Sequence, residues 1–263
     1  MRPDLPSLLA DLRAEQADLR RLVIGASLDA PTPSPGWDVR DAVSHLWGSD
    51  REATRAAGDP DGFLAVLPST ALDLDGLLTG QLADGRRLGA DLLPRWQADF
   101  DRLLGALGEL DPLARVPWYG PPMSPTTFAT ARLMEYWAHG QDVVDGLGET
   151  RTPTARLRHI CHLGVQTYRF AYALRGIGVP GEVPRVSLVA PDGSTWQWGG
   201  GEDAVEGPAV DFCLRVTQRR HRTDTGLVAT GPRADAWLDL AQCFAGPPGP
   251  GRSKRGDRQG PGP

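Results

Sequence analysis

The chain has 263 residues, of which 40% are hydrophobic and 23% are charged, values that are ordinary for a globular protein. Its net charge of -5 argues against non-specific binding to DNA or RNA, which needs a basic surface, so no nucleic-acid partner is expected. Residues 1–21 carry charges throughout and lack the apolar core of a signal peptide. No stretch has the roughly 20 apolar residues that span a bilayer. We therefore expect a cytoplasmic protein with no membrane partner.

Two helices are predicted in the first sixty residues. Apolar residues recur at three- and four-residue spacing from Leu5 to Val23, which predicts an amphipathic helix. A proline-rich segment follows, and Asp38 then has the character of an N-cap. A second helix, which carries His45, is therefore expected from about Val39 to Ala57. Residues 58–63, GDPDGF, are predicted to form a turn.

A long helical pattern covers residues 71–110 and has three candidate interruptions. Gly85 or Gly89 would weaken it, and Pro94 is expected to kink or break it. The segment after it is rich in proline and aromatic residues. Trp118 and Tyr119 in that segment either plug the end of a helical bundle or form the wall of a ligand cavity, and the sequence leaves both open.

The central helix of the chain is predicted to begin at Pro125, with Ser124 as its cap. Its apolar residues lie on more than one face, which is typical of a buried helix. A carboxylate is costly in such a helix, so Glu135 needs a metal ion or an arginine for compensation. Glu135 and His139 are four residues apart and lie on one face. Carboxylates and imidazoles are both ligands of zinc and similar divalent ions.

Two protein ligands are too few for a firm metal site, so a third is expected from another helix. His45 is the candidate, and the set His45, Glu135 and His139 leaves an open coordination position, which is typical of a catalytic ion. Two alternatives remain open. Arg132, one turn before Glu135, is the other possible partner of the carboxylate. Asp142 either accepts a hydrogen bond from His139 or is solvated near the helix end.

The second part of the chain begins with a helix predicted from about Thr154 to Arg175. It contains His159 and His162 at metal-binding spacing, but without an acidic residue nearby, so we expect no metal there. Residues 182–245 are predicted to form a small α+β domain, and residues 246–263 a disordered tail because they have almost no apolar side chains. The domain is expected to contain a hairpin with its turn at residues 191–194, two more short strands and two helices. The three cysteines are widely spaced and are expected to be small buried residues.

The segments PGWDVRDAVSHL and RLMEYWAHGQDVVD resemble the DinB-like superfamily of metal-binding four-helix bundles. Within it, they are most similar to the branch that contains mycothiol-dependent maleylpyruvate isomerase. The whole chain, including GPPMSPTTFATARLMEYWAHGQDV, also resembles an actinobacterial family of uncharacterised metal-binding proteins. The resemblance implies a mainly α fold: an up-down-down-up four-helix bundle over residues 1–178, followed by the small α+β domain.

The resemblance also implies a divalent metal ion, zinc before others, held by His45, Glu135 and His139. It implies mycothiol as a low-molecular-weight thiol that would bind at the open position. An activated thiolate would add to a small-molecule electrophile, so the implied activity is a thiol-dependent transferase or isomerase. The electrophile itself is not implied, because the family's substrate-binding residues have no counterpart that can be assigned here. The alternative is a non-catalytic module that binds or senses a metal or ligand.

Overall fold

The structure, a computed structural model, describes residues 4–72, 74–249 and 251–257. The fold is mainly helical with a small four-stranded sheet, which confirms the predicted class. The chain divides into two compact units, Met1–Arg151 and Thr152–Pro263. In the ranges described, no helix combines the length and the apolar character needed to cross a bilayer.

The described residues of the first unit contain six α-helices. They are α1 (Leu5–Val23), α2 (Val39–Gly58), α3 (Pro60–Leu72), α4 (Leu74–Leu88), α5 (Leu92–Gly108) and α6 (Pro125–Gly146). Helix α2 packs against α4, α5 and α6, while α1 packs against α5 and α6. The bundle thus consists of α1, α2, α5 and α6, and α4 covers one side of α2.

Capping side chains set the first residues of the two helices that carry the predicted ligands. At the start of α2, the Asp38 carboxylate accepts a hydrogen bond from the backbone N–H of Asp41 at 2.8 Å, and Asp41 accepts one from that of Asp38 at 3.2 Å. At the start of α6, Ser124 Oγ accepts from the backbone N–H of Thr127 at 3.2 Å. Both helices therefore begin where the sequence predicted.

The turn predicted at residues 58–63 is wrong, because α3 already begins at Pro60. A proline suits the first helical position, and Asp59 Oδ1 accepts a hydrogen bond from the backbone N–H of Gly62 at 3.0 Å. The long helical pattern is interrupted at Gly89, whose φ of 55° lies in the left-handed region. Pro94 does not break α5, because it lies in the first turn, where a backbone N–H has no helical partner.

The second unit combines helices with a mixed sheet. Its elements are α7 (Leu157–Gln166), α8 (Tyr168–Ala173), β1 (Arg185–Val189), β2 (Thr195–Trp198), β3 (Ala204–Pro208), α9 (Ala209–Val216), β4 (Val228–Thr230) and α10 (Pro232–Leu240). The strand order is β2-β1-β3-β4, with β1 antiparallel to β2, parallel to β3, and β3 antiparallel to β4. All three cysteines are buried, as predicted.

The division between the units differs from the predicted extent of the bundle, 1–178, because α7 packs against α9 and β2. Helices α7 and α8 therefore group with the sheet. In the tail, residues 255–257 form a 3₁₀ turn, and the backbone N–H of Arg255 donates to Asp224 at 2.8 Å. The disorder expected for residues 246–263 stays a prediction, and residues 250 and 258–263 lie outside the described part.

Two glycines allow α4 to lie directly on α2. A Cβ atom at Gly85 would come within 1.8 Å of Ser44 Oγ and 2.4 Å of Ser44 Cβ. A Cβ atom at Gly48 would come within 2.4 Å of Gln81 Cγ. Real Cβ atoms do not approach other atoms so closely, so a side chain at either position would separate the two helices.

We predict that Gly85→Ala destabilises the protein by about 1–3 kcal/mol, because the new methyl group overpacks the contact between α4 and α2. Gly80→Ala is the matched control on the same helix, since its Cβ would meet nothing within 4 Å. The control should gain up to about 1 kcal/mol from helix propensity. Urea denaturation of both variants measures the difference, and equal stabilities would contradict the close approach.

Candidate functional site

His45 on α2 and His139 on α6 lie side by side. The centroids of their rings are 4.8 Å apart, with an angle of 65° between the ring planes. A zinc ion about 2.0–2.1 Å from an imidazole nitrogen is about 3 Å from the ring centroid, so two ligands at a tetrahedral angle have centroids about 5 Å apart. The structure thus places two of the three predicted ligands next to each other, with ring centroids at about that separation.

Each of these imidazoles has an acceptor near its Nδ1 atom. His139 Nδ1 is 3.6 Å from Asp142 Oδ2, and the Asp142 side chain is only 1% exposed. The burial of Asp142 excludes the solvated alternative, and its distance from His139 is that of an ion pair and longer than a hydrogen bond. His45 Nδ1 lies 3.0 Å from Oε1 of Gln81, which comes from α4. A metal-binding histidine typically directs its second ring nitrogen to such an acceptor.

Glu135 lies one turn before His139 on α6, and its carboxylate is paired with an arginine. Arg132 Nη1 donates to Glu135 Oε2 at 2.6 Å. A carboxylate has two oxygens, so pairing of Oε2 with an arginine leaves Oε1 with its own lone pairs for a cation. Within the described ranges, however, no group of three or more His, Cys, Asp or Glu side chains is arranged to hold a metal ion. The three-residue ligand set stays a prediction.

Arg132, the partner of Glu135, also forms a buried ion pair with Asp50. Arg132 Nη2 donates to Asp50 Oδ1 at 2.9 Å, and the two side chains are 2% and 0% exposed. The Tyr136 hydroxyl donates to the other Asp50 oxygen and itself accepts a hydrogen bond from Trp96 Nε1 at 2.8 Å. Both Asp50 oxygens therefore have donors, and the network joins α2, α5 and α6 in the interior of the bundle.

Burial shifts the acid–base equilibria in this network. Loss of solvation raises the pKa of Asp50 from 3.8 to about 6, although Arg132 and Tyr136 both favour its ionised form. Loss of solvation also raises the pKa of Tyr136 well above its ordinary value. Burial alone would lower the pKa of Arg132, but Glu135 and Asp50 outweigh it and raise that pKa. Arg132 therefore stays charged under all folding conditions.

Trp37 covers the two histidines from the loop before α2. Its ring stacks on His139 with centroids 5.7 Å apart and 12° between the planes, and it meets His45 edge-on at 5.5 Å. The same loop is seated on α6 near Gly146, where a Cβ atom would come within 2.5 Å of the Pro31 carbonyl oxygen. One face of the histidine pair is therefore shielded by an aromatic ring.

The other candidates belong to other elements. His159 and His162 belong to α7 in the second unit. Trp118 packs on Phe63 and Phe128, with centroids 5.7 and 5.1 Å away. Phe128 precedes His139 by eleven residues of α6, which is about 16 Å along the helix. This packing favours the interpretation of the aromatic segment as a plug at one end of the bundle.

Sequence reasoning missed Asp50 and Gln81. A signal for Asp50 was present, since it lies among apolar residues of an amphipathic helix, where a carboxylate needs a partner. The sequence offered no signal for Gln81, because the role of this residue depends on how closely α4 approaches α2.

Comparisons with known proteins identify the family of the chain. Residues 9–144 match the family model described as the mycothiol maleylpyruvate isomerase N-terminal domain. Two proteins of Mycobacterium tuberculosis, from strains H37Rv and CDC 1551 and both described as uncharacterized, are 42% identical over 250 residues. Those alignments cover 93% of this chain and 97% of each relative.

Solved structures with the same fold carry the second unit as well. The crystal structure of the mycothiol-dependent maleylpyruvate isomerase superposes with a TM-score of 0.57 at 16% identity, over 88% of this chain and 96% of that one. A histidine-to-alanine variant of that isomerase gives a TM-score of 0.58 over the same shares. At this identity, the likeness establishes the fold.

We predict a pH-dependent difference in stability between the wild type and Asp50→Asn. The pKa of Asp50 is about 6 in the folded protein and about 3.8 unfolded, so its contribution to stability is fully present below pH 3.8. That contribution is lost as the pH rises through about 6, whereas asparagine does not titrate. The wild type should therefore lose roughly 3 kcal/mol relative to the variant between about pH 4 and 7. Urea denaturation across this range tests it, and a constant difference would contradict the raised pKa.

Proposed function

Because the chain belongs to the mycothiol maleylpyruvate isomerase N-terminal domain family, we propose that it is a thiol-dependent enzyme, an isomerase or an S-transferase acting on a small electrophile. The observation that supports a chemical role is the pair formed by His45 and His139, which lie together with an acidic residue one turn away. The thiol that the family name indicates is mycothiol, and we propose it as the co-substrate.

We further propose that His45, Glu135 and His139 hold a divalent ion, zinc before others. The donors fit such an ion, since two imidazoles and one carboxylate are a common zinc ligand set with an open position. Each donor residue has a second polar atom that faces a protein group, namely Gln81, Arg132 and Asp142 respectively. When bound, the ion would supply positive charge that lowers the pKa of a thiol at the open position.

The remaining residues of the site then have definable tasks. Arg132 holds the carboxylate of Glu135 in one orientation, and the carboxylate of Asp142 is close enough to attract a charged His139 ring. The Trp37 ring excludes water from one face of the histidine pair. At the open coordination position, the sulfur of the thiol would add to an unsaturated carbon of the substrate. Rotation about the resulting single bond and loss of the thiolate would give an isomerised product, whereas protonation of the adduct would retain the thiol.

One observation favours a second candidate function, a non-catalytic module that binds or senses a metal or ligand. The Arg132–Glu135 ion pair gives the carboxylate a partner without any metal ion. Such a protein would have a bundle whose fold is complete before a ligand binds. Turnover therefore has to be tested separately from binding.

We predict that His45→Ala and His139→Ala each weaken zinc binding by at least about a hundredfold, because each variant lacks a metal ligand. Loss of a residue that only supports a ligand typically weakens metal binding by about 10–100-fold. The measurement is isothermal titration of the metal-free protein with zinc. His159→Ala and His162→Ala are the matched controls, since both residues lie on α7 in the second unit. Equal losses in all four variants, or no zinc binding by the wild type, would contradict the proposed site.

Glu135→Gln separates the possible roles of the ion, because it keeps the shape of the side chain and removes its charge. We expect zinc affinity and mycothiol-dependent turnover of maleylpyruvate or another activated alkene to fall while the melting temperature is nearly unchanged. A collapse of the melting temperature would indicate a structural ion instead. Unchanged zinc binding would exclude Glu135 as a ligand. Wild-type protein that binds zinc and mycothiol but turns over no electrophile would favour the binding module.

A further inference from the structure

We propose that Gln81 on α4 is a positioning residue that holds neutral His45 in the tautomer with its proton on Nδ1. The side-chain oxygen of Gln81 lies 3.0 Å from Nδ1, which is hydrogen-bonding distance. With the amide of Gln81 in this orientation, its oxygen accepts and cannot donate, so Nδ1 carries the proton in this contact. The lone pair of the imidazole is then on Nε2. The consequence for a metal ion rests on the proposed function, but the tautomer itself does not.

Ion pairs fix α4 at the position that this contact needs. Arg86 on α4 donates to Asp41 and Asp38 at the start of α2, at 2.7 and 2.9 Å. Near the other end of the contact, Arg51 on α2 lies 3.8 Å from Asp84 on α4. In all three pairs the arginine side chain is 49% exposed, so their value lies in alignment of the helices more than in stability.

Small residues on the facing sides of the two helices give Gln81 its room. Gly48 lies one turn after His45 and beside the Gln81 side chain, whose Cγ would be only 2.4 Å from a Cβ at position 48. Gly85, one turn after Gln81, lies against Ser44 in the same way. The side chain of Gln81 thus lies directly against the α2 backbone at Gly48, which limits its rotamers.

This confinement has a chemical consequence for His45. The nitrogen that carries the proton in a neutral imidazole is set by the hydrogen bond that the ring makes. Without an acceptor at Nδ1, both tautomers are populated, and one of them has a proton on Nε2 that must be lost before that atom can bind an ion. By keeping the proton on Nδ1, Gln81 leaves Nε2 free of a proton before an ion binds.

The test uses the metal-free full-length protein and three variants. Gln81→Leu removes the acceptor, and Gln81→Glu keeps one in the same place. Gln97→Leu is the control for the loss of a half-buried glutamine, since Gln97 accepts a hydrogen bond from Gln16 at 3.2 Å on a different side of the bundle. Long-range ¹H–¹⁵N NMR spectra, recorded about two pH units above the usual histidine pKa of about 6.5, report the tautomer of each imidazole. A His45→Asn sample identifies the signals of His45.

We expect Nδ1-protonated His45 in the wild type, in Gln81→Glu and in Gln97→Leu, and a mixture or the opposite tautomer in Gln81→Leu. Zinc affinity should fall about 10–100-fold in Gln81→Leu only. Wild-type His45 with its proton on Nε2, or an unchanged tautomer in Gln81→Leu, would overturn the inference. If the tautomers behave as expected but the wild type binds no zinc, the inference stands and the proposed metal site fails.

Discussion

The buried ion pair between Asp50 and Arg132 is the interaction on which the candidate site depends. It links α2, which carries His45, to α6, which carries Glu135 and His139. Both side chains are almost fully buried, so separating them would leave an uncompensated charge at a cost of about 3–5 kcal/mol. The relative positions of the two helices, and with them the distance between the two imidazoles, are therefore tightly constrained.

Charge balance within this network explains how a carboxylate can remain near the histidines. Asp50 and Glu135 each carry one negative charge when ionised, and Arg132 carries one positive charge between them. The cluster therefore retains one net negative charge, which suits a cation. Because burial raises the pKa of Asp50 to about 6, that balance holds near neutral pH and changes on acidification.

The second unit has a hydrophobic core of its own. It contains none of the proposed metal ligands, and its part in the family assignment is that it extends the alignment with the relatives. Its rings of Tyr168, Phe212 and Trp237 pack edge to face, with the Trp237 centroid 5.3 Å from that of Tyr168 and 5.8 Å from that of Phe212. The family model ends at residue 144, whereas the mycobacterial relatives align over both units. The unit is therefore shared with those relatives, and its own task is separate from metal binding in our proposal.

The sequence by itself determined the helices of the bundle, the order of elements in the second unit and the spacing of Glu135 and His139 on one helix face. Those features depend on local signals, namely the spacing of apolar residues and the caps at Asp38 and Ser124. Only the tertiary structure decided that Arg132 is shared by Asp50 and Glu135, that Asp142 is buried, and that Gln81 reaches His45. These contacts join residues from helices far apart in the chain, and their geometry depends on how closely the helices pack, which no local pattern encodes.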